Sequence, residues 1–193
     1  MVTAESSDTD NLLAKYGGLT AFAGRVASKS PNSDHMPQSN RKFLVIADDS
    51  TECRTALYFA ARRAQATGAH VSILATHQPS DFNHWIGVAE TAKREAESAA
   101  ETLLESMAED AEAVTGERPE LLLREGDVRA VLSQLLEDDP LISLLVLAAA
   151  KASDGPGPLV TALARGKGLF TGRAVPVTVV PGDMEADEID ALV

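Results

Sequence analysis

Asp48, Asp49 and Ser50 close an apolar run of Phe43, Leu44, Val45, Ile46 and Ala47, and they are the strongest chemical signal in the chain. A short run that is apolar on both faces reads as a buried strand of a parallel sheet. A strand that feeds a helix through an acidic turn is where open α/β sheets place ligand chemistry, outside the strands' carboxyl ends. The second signal is the loop 151–158, where Lys151, Gly155 and Gly157 precede a short helix. Taken alone, that loop is also what a tight turn looks like, with Asp48 and Ser50 capping the helix that follows them.

Other reactive side chains lack a usable pattern. Cys53 falls on the apolar face of its helix, so a buried and inert thiol is expected. His77, Asp81 and His84 share one loop, but no third ligand stands at a short, fixed spacing to complete a metal site. Gly166, Lys167 and Gly168 lack the hydroxyl of a P-loop and follow a helical segment. An acid pair after a strand also suits the Mg²⁺ site of a receiver domain. That domain needs a phosphoacceptor Asp after its third strand, where this chain has Arg124, and a Lys at its fifth, which ends here in Pro181 and Gly182.

Composition narrows the classes further. The 193 residues carry 17 basic and 29 acidic side chains, a formal charge of -12, and 45% are hydrophobic. The length suits one domain with extensions and a sizeable core. The acidic surface repels phosphate backbones and no basic patch offsets it, so nucleic-acid binding is not expected. No apolar run reaches the roughly 18 residues of a membrane span, and no secretory signal is read. One cysteine permits no intrachain disulfide, which suits a cytoplasmic protein.

The elements that must position these residues alternate. Residues 1–40 read as a flexible extension in which Leu12, Leu13, Tyr16, Leu19, Phe22 and Val26 approach helical spacing. A helix after Ser50 places Cys53, Leu57, Ala60, Ala61 and Ala64 on one face. Strand 71–76 follows, then a loop holding Phe82, Trp85 and Ile86 as a lid or dimer contact. A helix over 88–114 carries the stripe Val88, Ala92, Ala96, Ala99, Leu103, Met107, Ala111 and Val114. Its glutamates, Glu90, Glu97, Glu101 and Glu105, form a solvated face.

Strand 121–123 leads to Asp127, which can cap a helix burying Val128, Val131, Leu132, Leu135 and Leu136. Residues 141–149 form a second continuous apolar strand. A short helix then carries Leu159, Val160 and Leu163. The last strand begins at Val175 and ends at Val180, and Pro176 argues for an edge or a strand start. The acidic tail 183–193 retains an apolar set of Met184, Ile189, Leu192 and Val193. This order predicts an α/β fold, an open five-stranded parallel sheet with helices on both faces.

Over residues 41–182 the pattern resembles the universal stress protein (UspA-like) family. The matching pieces are the first strand with Asp48 and Ser50, the long second helix, and Arg124, Glu125, Gly126 and Asp127 ahead of a helix ending in Asp138, Asp139 and Pro140. The fourth strand and the closing Val175, Pro176, Val177, Thr178, Val179, Val180 and Pro181 complete it. The resemblance implies a three-layer α/β sandwich like that of adenine nucleotide alpha hydrolases, dimers often formed through the last strand, and stress-response roles without a settled reaction.

One branch of that family binds ATP, and its marker is a glycine pair after the fourth strand followed nine residues later by Gly-Ser or Gly-Thr. Such a marker is an anion nest at a helix N-terminus. Here Leu147 and Ala148 replace the usual Met-Gly, Lys151 replaces the next glycine, and the spacer is shortened. Gly157 and Pro158 stand where Gly-Ser would. Pro158 offers neither amide nor hydroxyl, so at least two phosphate contacts are lost. Each is worth roughly 1.5–3 kcal/mol, or about a hundredfold in affinity together.

The resemblance keeps the adenosine end better: Asp48 matches the acid near ribose and base, and Thr76 lies where the second strand lines the base pocket. Ala47, Asp48, Ser50, Thr76, Leu147, Ala148, Lys151, Gly155 and Gly157 are therefore the candidate nucleotide-binding residues. No catalytic residue, metal or certain cofactor is assigned, and ATP or AMP are the candidates. The expectation is a cytoplasmic, homodimeric, non-enzymatic stress-response regulator whose cleft binds ATP weakly or not at all. The alternative is a protein whose nucleotide occupancy controls partner binding.

Overall fold

A computed structural model describes residues 40–77, 86–150, 155–165 and 172–193. The apolar runs form strands and the stretches of helical period form helices. In chain order they are β1 (Lys42–Ile46), α1 (Thr51–Thr67), β2 (His70–His77), α2 (Ile86–Thr115) and β3 (Glu120–Glu125). Then come α3 (Val128–Asp138), β4 (Ile142–Ala149), α4 (Pro158–Ala164), β5 (Val177–Pro181) and α5 (Ala186–Asp190). The strands make one parallel sheet in the order β3-β2-β1-β4-β5.

The chain moves outward from β1 to β3, then returns to β4 on the other side of β1. Right-handed crossovers therefore put α1 and α2 on one face and α3 and α4 on the other. The core divides the same way. Phe43, Val45, Val71, Ile73 and Val146 pack with Cys53, Leu57 and the alanines of α1 and with Met107 of α2. Leu44, Leu74, Ile142, Leu145 and Leu147 pack with Leu132, Leu135 and Leu136 of α3 and with Ala162 of α4.

Several elements depart from the sequence expectation. Helix α2 buries Leu104, Met107, Ala108 and Ala111 and leaves Ala99 exposed, so its buried stripe is rotated toward Leu104. In α4 the buried residue is Ala162, and Leu163 is exposed. Strand β5 runs from Val177 rather than Val175, while its place at the sheet edge agrees with what Pro176 argued, and the Pro176 carbonyl just ahead of it accepts from the Leu145 amide at 3.0 Å. The segment after β5 forms α5, which buries Ile189 and docks on α1. There the Tyr58 hydroxyl and Arg62 Nε donate to Asp190 at 3.0 and 2.6 Å, while Leu192 stays exposed. The helical spacing within residues 1–39, the Phe82 and Trp85 loop with Asp81 and His84, and Gly166 to Gly168 lie outside the described residues.

At the amino ends of the strands, Lys42 Nζ reaches Asp139 at 2.7 Å and Glu120 at 2.9 Å, and the Ser72 hydroxyl donates to Glu120 at 2.7 Å. Burial works against the Asp139 charge, but Lys42 and the Leu141 amide outweigh it and hold the carboxyl below its usual range. Burial likewise opposes the Lys42 charge and is outweighed by the bonds to Asp139 and Glu120, which raise it. The Asp139 contribution is thus present above about pH 4 and is lost as pH falls through its lowered folded value. The Lys42 contribution is present below about pH 10 and is lost as pH rises through its raised folded value. Lys42→Met is expected to cost on the order of 1 kcal/mol near neutrality. That deficit should shrink below about pH 4, as urea unfolding at the two pH values would show.

Candidate functional site

The sheet order sets where a ligand would sit. Crossovers leave β1 and β4 in opposite directions, so the crevice of this α/β sheet opens beyond the carboxyl ends of those two strands. Ala47 and Asp48 follow β1 there, and Leu147 and Ala148 lie near the end of β4, which pairs with β1 through Val45 and Val146. Thr76 stands on β2, on the far side of β1, on the Leu74 face of the sheet. The sheet therefore gathers these five candidates at one end. Gly155 and Gly157 precede α4 after β4, and Lys151 lies outside the described residues.

The β1–α1 turn is held together by its own polar groups. The Ala47 amide donates to the Leu74 carbonyl at 2.7 Å, extending the ladder one residue past β1. Asp48 Oδ1 accepts from the Ser50 amide at 2.9 Å, and Ser50 Oγ accepts from the Cys53 amide at 3.1 Å as the N-cap of α1. Beneath the turn, Cys53 Sγ donates to the Ile46 carbonyl at 3.3 Å and accepts from the Asp48 amide at 3.4 Å. Cys53 is 1% exposed, and burial pushes its thiol up to about 11, so it is not a nucleophile near neutral pH. Sequence reasoning put Cys53 on the apolar face but missed this hold on the Asp48 backbone.

Across the crevice, Gly157 is the N-cap of α4 with φ 90° and makes no side-chain cap bond. That φ lies in the left-handed region where a Cβ is strained, which accounts for glycine at this point. Pro158 is the first residue of the helix, so the first turn presents no amide there. At the neighbouring strand end, the Gly182 amide donates to the Ala149 carbonyl at 2.9 Å. A Cβ at Gly182 would stand 2.9 Å from that same oxygen and 2.7 Å from Glu52 Cβ. Gly182→Ala is therefore expected to cost about 1–3 kcal/mol, read as a lowered midpoint in thermal unfolding.

Asp49 faces elsewhere. With Arg54, Ala100, Thr102, Leu103 and Ser106 it lines a cleft of about 530 Å³ between α1 and α2. Arg54 is already held there by Asp110 and by Ser106 at 3.1 Å. No group of three metal-ligating side chains occurs among the described residues. The receiver arrangement also fails on topology, because β2 separates the end of β3 from the Asp48–Asp49 turn. His77, expected in a loop, is the last residue of β2, since its carbonyl accepts from the Gly126 amide at 2.9 Å.

Fold and crevice together define a three-layer α/β domain with its open end at the β1–β4 switch. The family profile described as "Universal stress protein family" matches residues 39–164. The chain belongs to the universal stress protein family. Among solved structures it is similar to the universal stress protein UspA from Lactobacillus plantarum, at 16% identity and a TM-score of 0.61, over 73% of this chain and 97% of that one. It is also similar to a universal stress protein family member from Burkholderia pseudomallei, at 20% identity and a TM-score of 0.53, over 78% and 99% of the two chains. A third is a universal stress protein in complex with cAMP, at 18% identity and a TM-score of 0.51, over 75% and 99%. Among curated proteins none matches this sequence. No helix among the described residues is long and apolar enough to cross a membrane.

Proposed function

We propose that this member of the family is a non-catalytic stress-response regulator or adaptor of the cytoplasm, working as a homodimer, whose crevice binds ATP weakly or not at all. The observation that carries this reading is the first turn of α4. Gly157 and Pro158 supply it with no hydroxyl and one amide fewer, on the side of the crevice where a triphosphate would need donors.

The homodimer rests on β5. That edge strand exposes no charged side chain, and Val177, Thr178 and Val179 are half-buried. The opposite edge, β3, is guarded by Glu120, Arg124 and Glu125, all exposed. Charges of that kind keep an edge from pairing, so β5 is the edge suited to a second copy.

The second reading is a nucleotide-controlled adaptor. It is favoured by Asp48, which stays exposed at the end of β1, and by a relative of the same fold that holds cAMP. Calorimetric titration of the full chain with ATP separates the two. Heats too small to fit at micromolar protein support the degenerate crevice, whereas micromolar binding that is lost in Asp48→Ala establishes the nucleotide-controlled reading. Sedimentation showing only monomer at micromolar concentration would remove the dimer.

A further inference from the structure

Helices α1 and α2 leave an open groove between them. Its first part, of about 530 Å³, has Ala99, Ala100 and Leu103 of α2 along one wall. A second part, of about 250 Å³, continues past the Arg54–Asp110 ion pair to Tyr58 of α1 and Ala113 of α2. From Ala99 to Ala113 the helix rises about 21 Å. The groove follows from the rotated stripe of α2. Leu104, Met107, Ala108 and Ala111 take the buried positions, so Ala99 is exposed and Ala100 and Leu103 are only half-buried.

The polar groups inside the groove are already engaged. Arg54 donates to Asp110 and to the Ser106 hydroxyl, and the Thr102 hydroxyl donates to the Ser98 carbonyl at 2.8 Å. The carboxylates at its rim are not. Asp49 borders the wider part. Glu95, Thr102 and Glu109 follow one another at seven-residue steps, so they share one line along α2. That line puts Glu95 one turn from Ala99 and Glu109 one turn from Ser106. Asp49, Glu95 and Glu109 are exposed and have no hydrogen bond or ion pair among the described residues. The cations of α2 are both paired, Lys93 with Glu125 at 2.7 Å and Arg94 with Glu90 at 3.0 Å.

We propose that this groove docks a basic amphipathic helix of a partner protein, with its apolar face over Ala99, Ala100 and Leu103 and its lysines or arginines against Asp49, Glu95 and Glu109. A channel between two helices accepts a third helix because side-chain ridges seat in grooves, with apolar anchors three and four residues apart. Charge then selects among such helices. A formal charge of -12 and unpaired carboxylates along the rim repel an acidic helix and draw in a basic one. The groove is separate from the β1–β4 crevice and from the β5 edge. The inference rests only on the adaptor part of the proposed function and gives that adaptor a partner class.

The probe is a synthetic peptide of about 14 residues, with leucines at helical spacing and lysine elsewhere, beside a twin that carries glutamate for lysine. Each is titrated into the full chain at about 0.15 M salt while the methyl signals of Ala99, Ala100 and Leu103 are followed. The lysine peptide should bind in the micromolar range and move those methyls, and its twin should bind at least tenfold more weakly. Ala99→Arg, at an exposed position, should weaken the lysine peptide at least tenfold, and Asp49→Asn with Glu95→Gln about three- to tenfold. Glu101→Gln, on another face of α2, should change it by less than about twofold. Shifts spread over the acidic surface rather than the groove overturn the proposal, as does a loss in Glu101→Gln equal to that of the Asp49 and Glu95 pair. So do groove methyls that move with protein concentration alone, which would seat a second copy there. Contacts from those methyls to Leu12 or Phe22 in the free chain would seat its own extension and overturn it too. Sedimentation and the ATP titration are read separately, so a failed peptide leaves the dimer and the crevice readings standing.

Discussion

Replacing Arg173 by alanine is expected to lower stability by about 2–4 kcal/mol, with the midpoint of urea unfolding shifted and its slope unchanged. The guanidinium donates to four carbonyls: Leu136 at 2.9 Å, Asp139 at 3.2 Å, Pro140 at 3.0 Å, and Ile142. The first two belong to the end of α3, where carbonyls have no partner within the helix, and a cation is favoured by the helix dipole. The last two lead into β4. One side chain therefore fixes the corner through which α3 turns into the central strand that borders the crevice. Arg173→Lys should recover less than half of the loss, because a single ammonium cannot span a fan of carbonyls. Near-wild-type stability in Arg173→Ala would mean that water replaces the guanidinium at this corner.

Nothing near Arg173 in sequence announces that role, since its partners lie more than 30 residues away. The same holds for Lys42, whose partner Asp139 is 97 residues distant. Such pairings appear only when the sheet order is known. By contrast, the strands at Phe43 and Leu145 were legible, because a central parallel strand must be apolar on both faces and few other segments are. The ladder of α1 was legible too, as Cys53, Leu57, Ala60, Ala61 and Ala64 admit one buried face.

Helix α2 was harder. Its alanines at Ala92, Ala96, Ala99, Ala100, Ala108 and Ala111 occur on several faces, and a small apolar residue costs little wherever it points. Periodicity alone then leaves the helix free to rotate, and the larger side chains Leu104 and Met107 decide which stripe is buried. His77 was misplaced for a related reason. A polar residue at a strand end reads as loop, and only its pairing with Glu125 keeps it in the sheet. At the crevice, the sequence was enough to bring Asp48 and Ala148 to the carboxyl ends of β1 and β4, because connection rules leave few topologies for this element order. The capping reading of that turn was also open from the sequence and holds for Ser50, the N-cap of α1, whereas Asp48 bonds instead to the Ser50 amide inside the turn.

Pro158→Ser should raise ATP affinity by at least tenfold over the wild-type chain, measured by calorimetry on the two full-length proteins. In the proposed reading the adenosine side of the crevice is intact and the phosphate side lacks donors. Serine at the first position of α4 restores an amide and adds a hydroxyl, each worth roughly 1.5–3 kcal/mol to a charged partner. Pro158 is exposed, and the Thr161 amide already closes the first turn on the Gly157 carbonyl at 2.9 Å, so the helix start survives the exchange. Its stability cost should stay within a few tenths of a kcal/mol, the usual range for a surface change. Affinity gained in Pro158→Ser and lost again on adding Asp48→Ala would tie both ends of the nucleotide to the β1–β4 crevice. Affinity that does not move would shift the defect from the missing donors to the geometry of the loop itself. The degenerate-crevice reading would then rest on the shortened spacer before Gly157, and lengthening that spacer would be the change that restores binding.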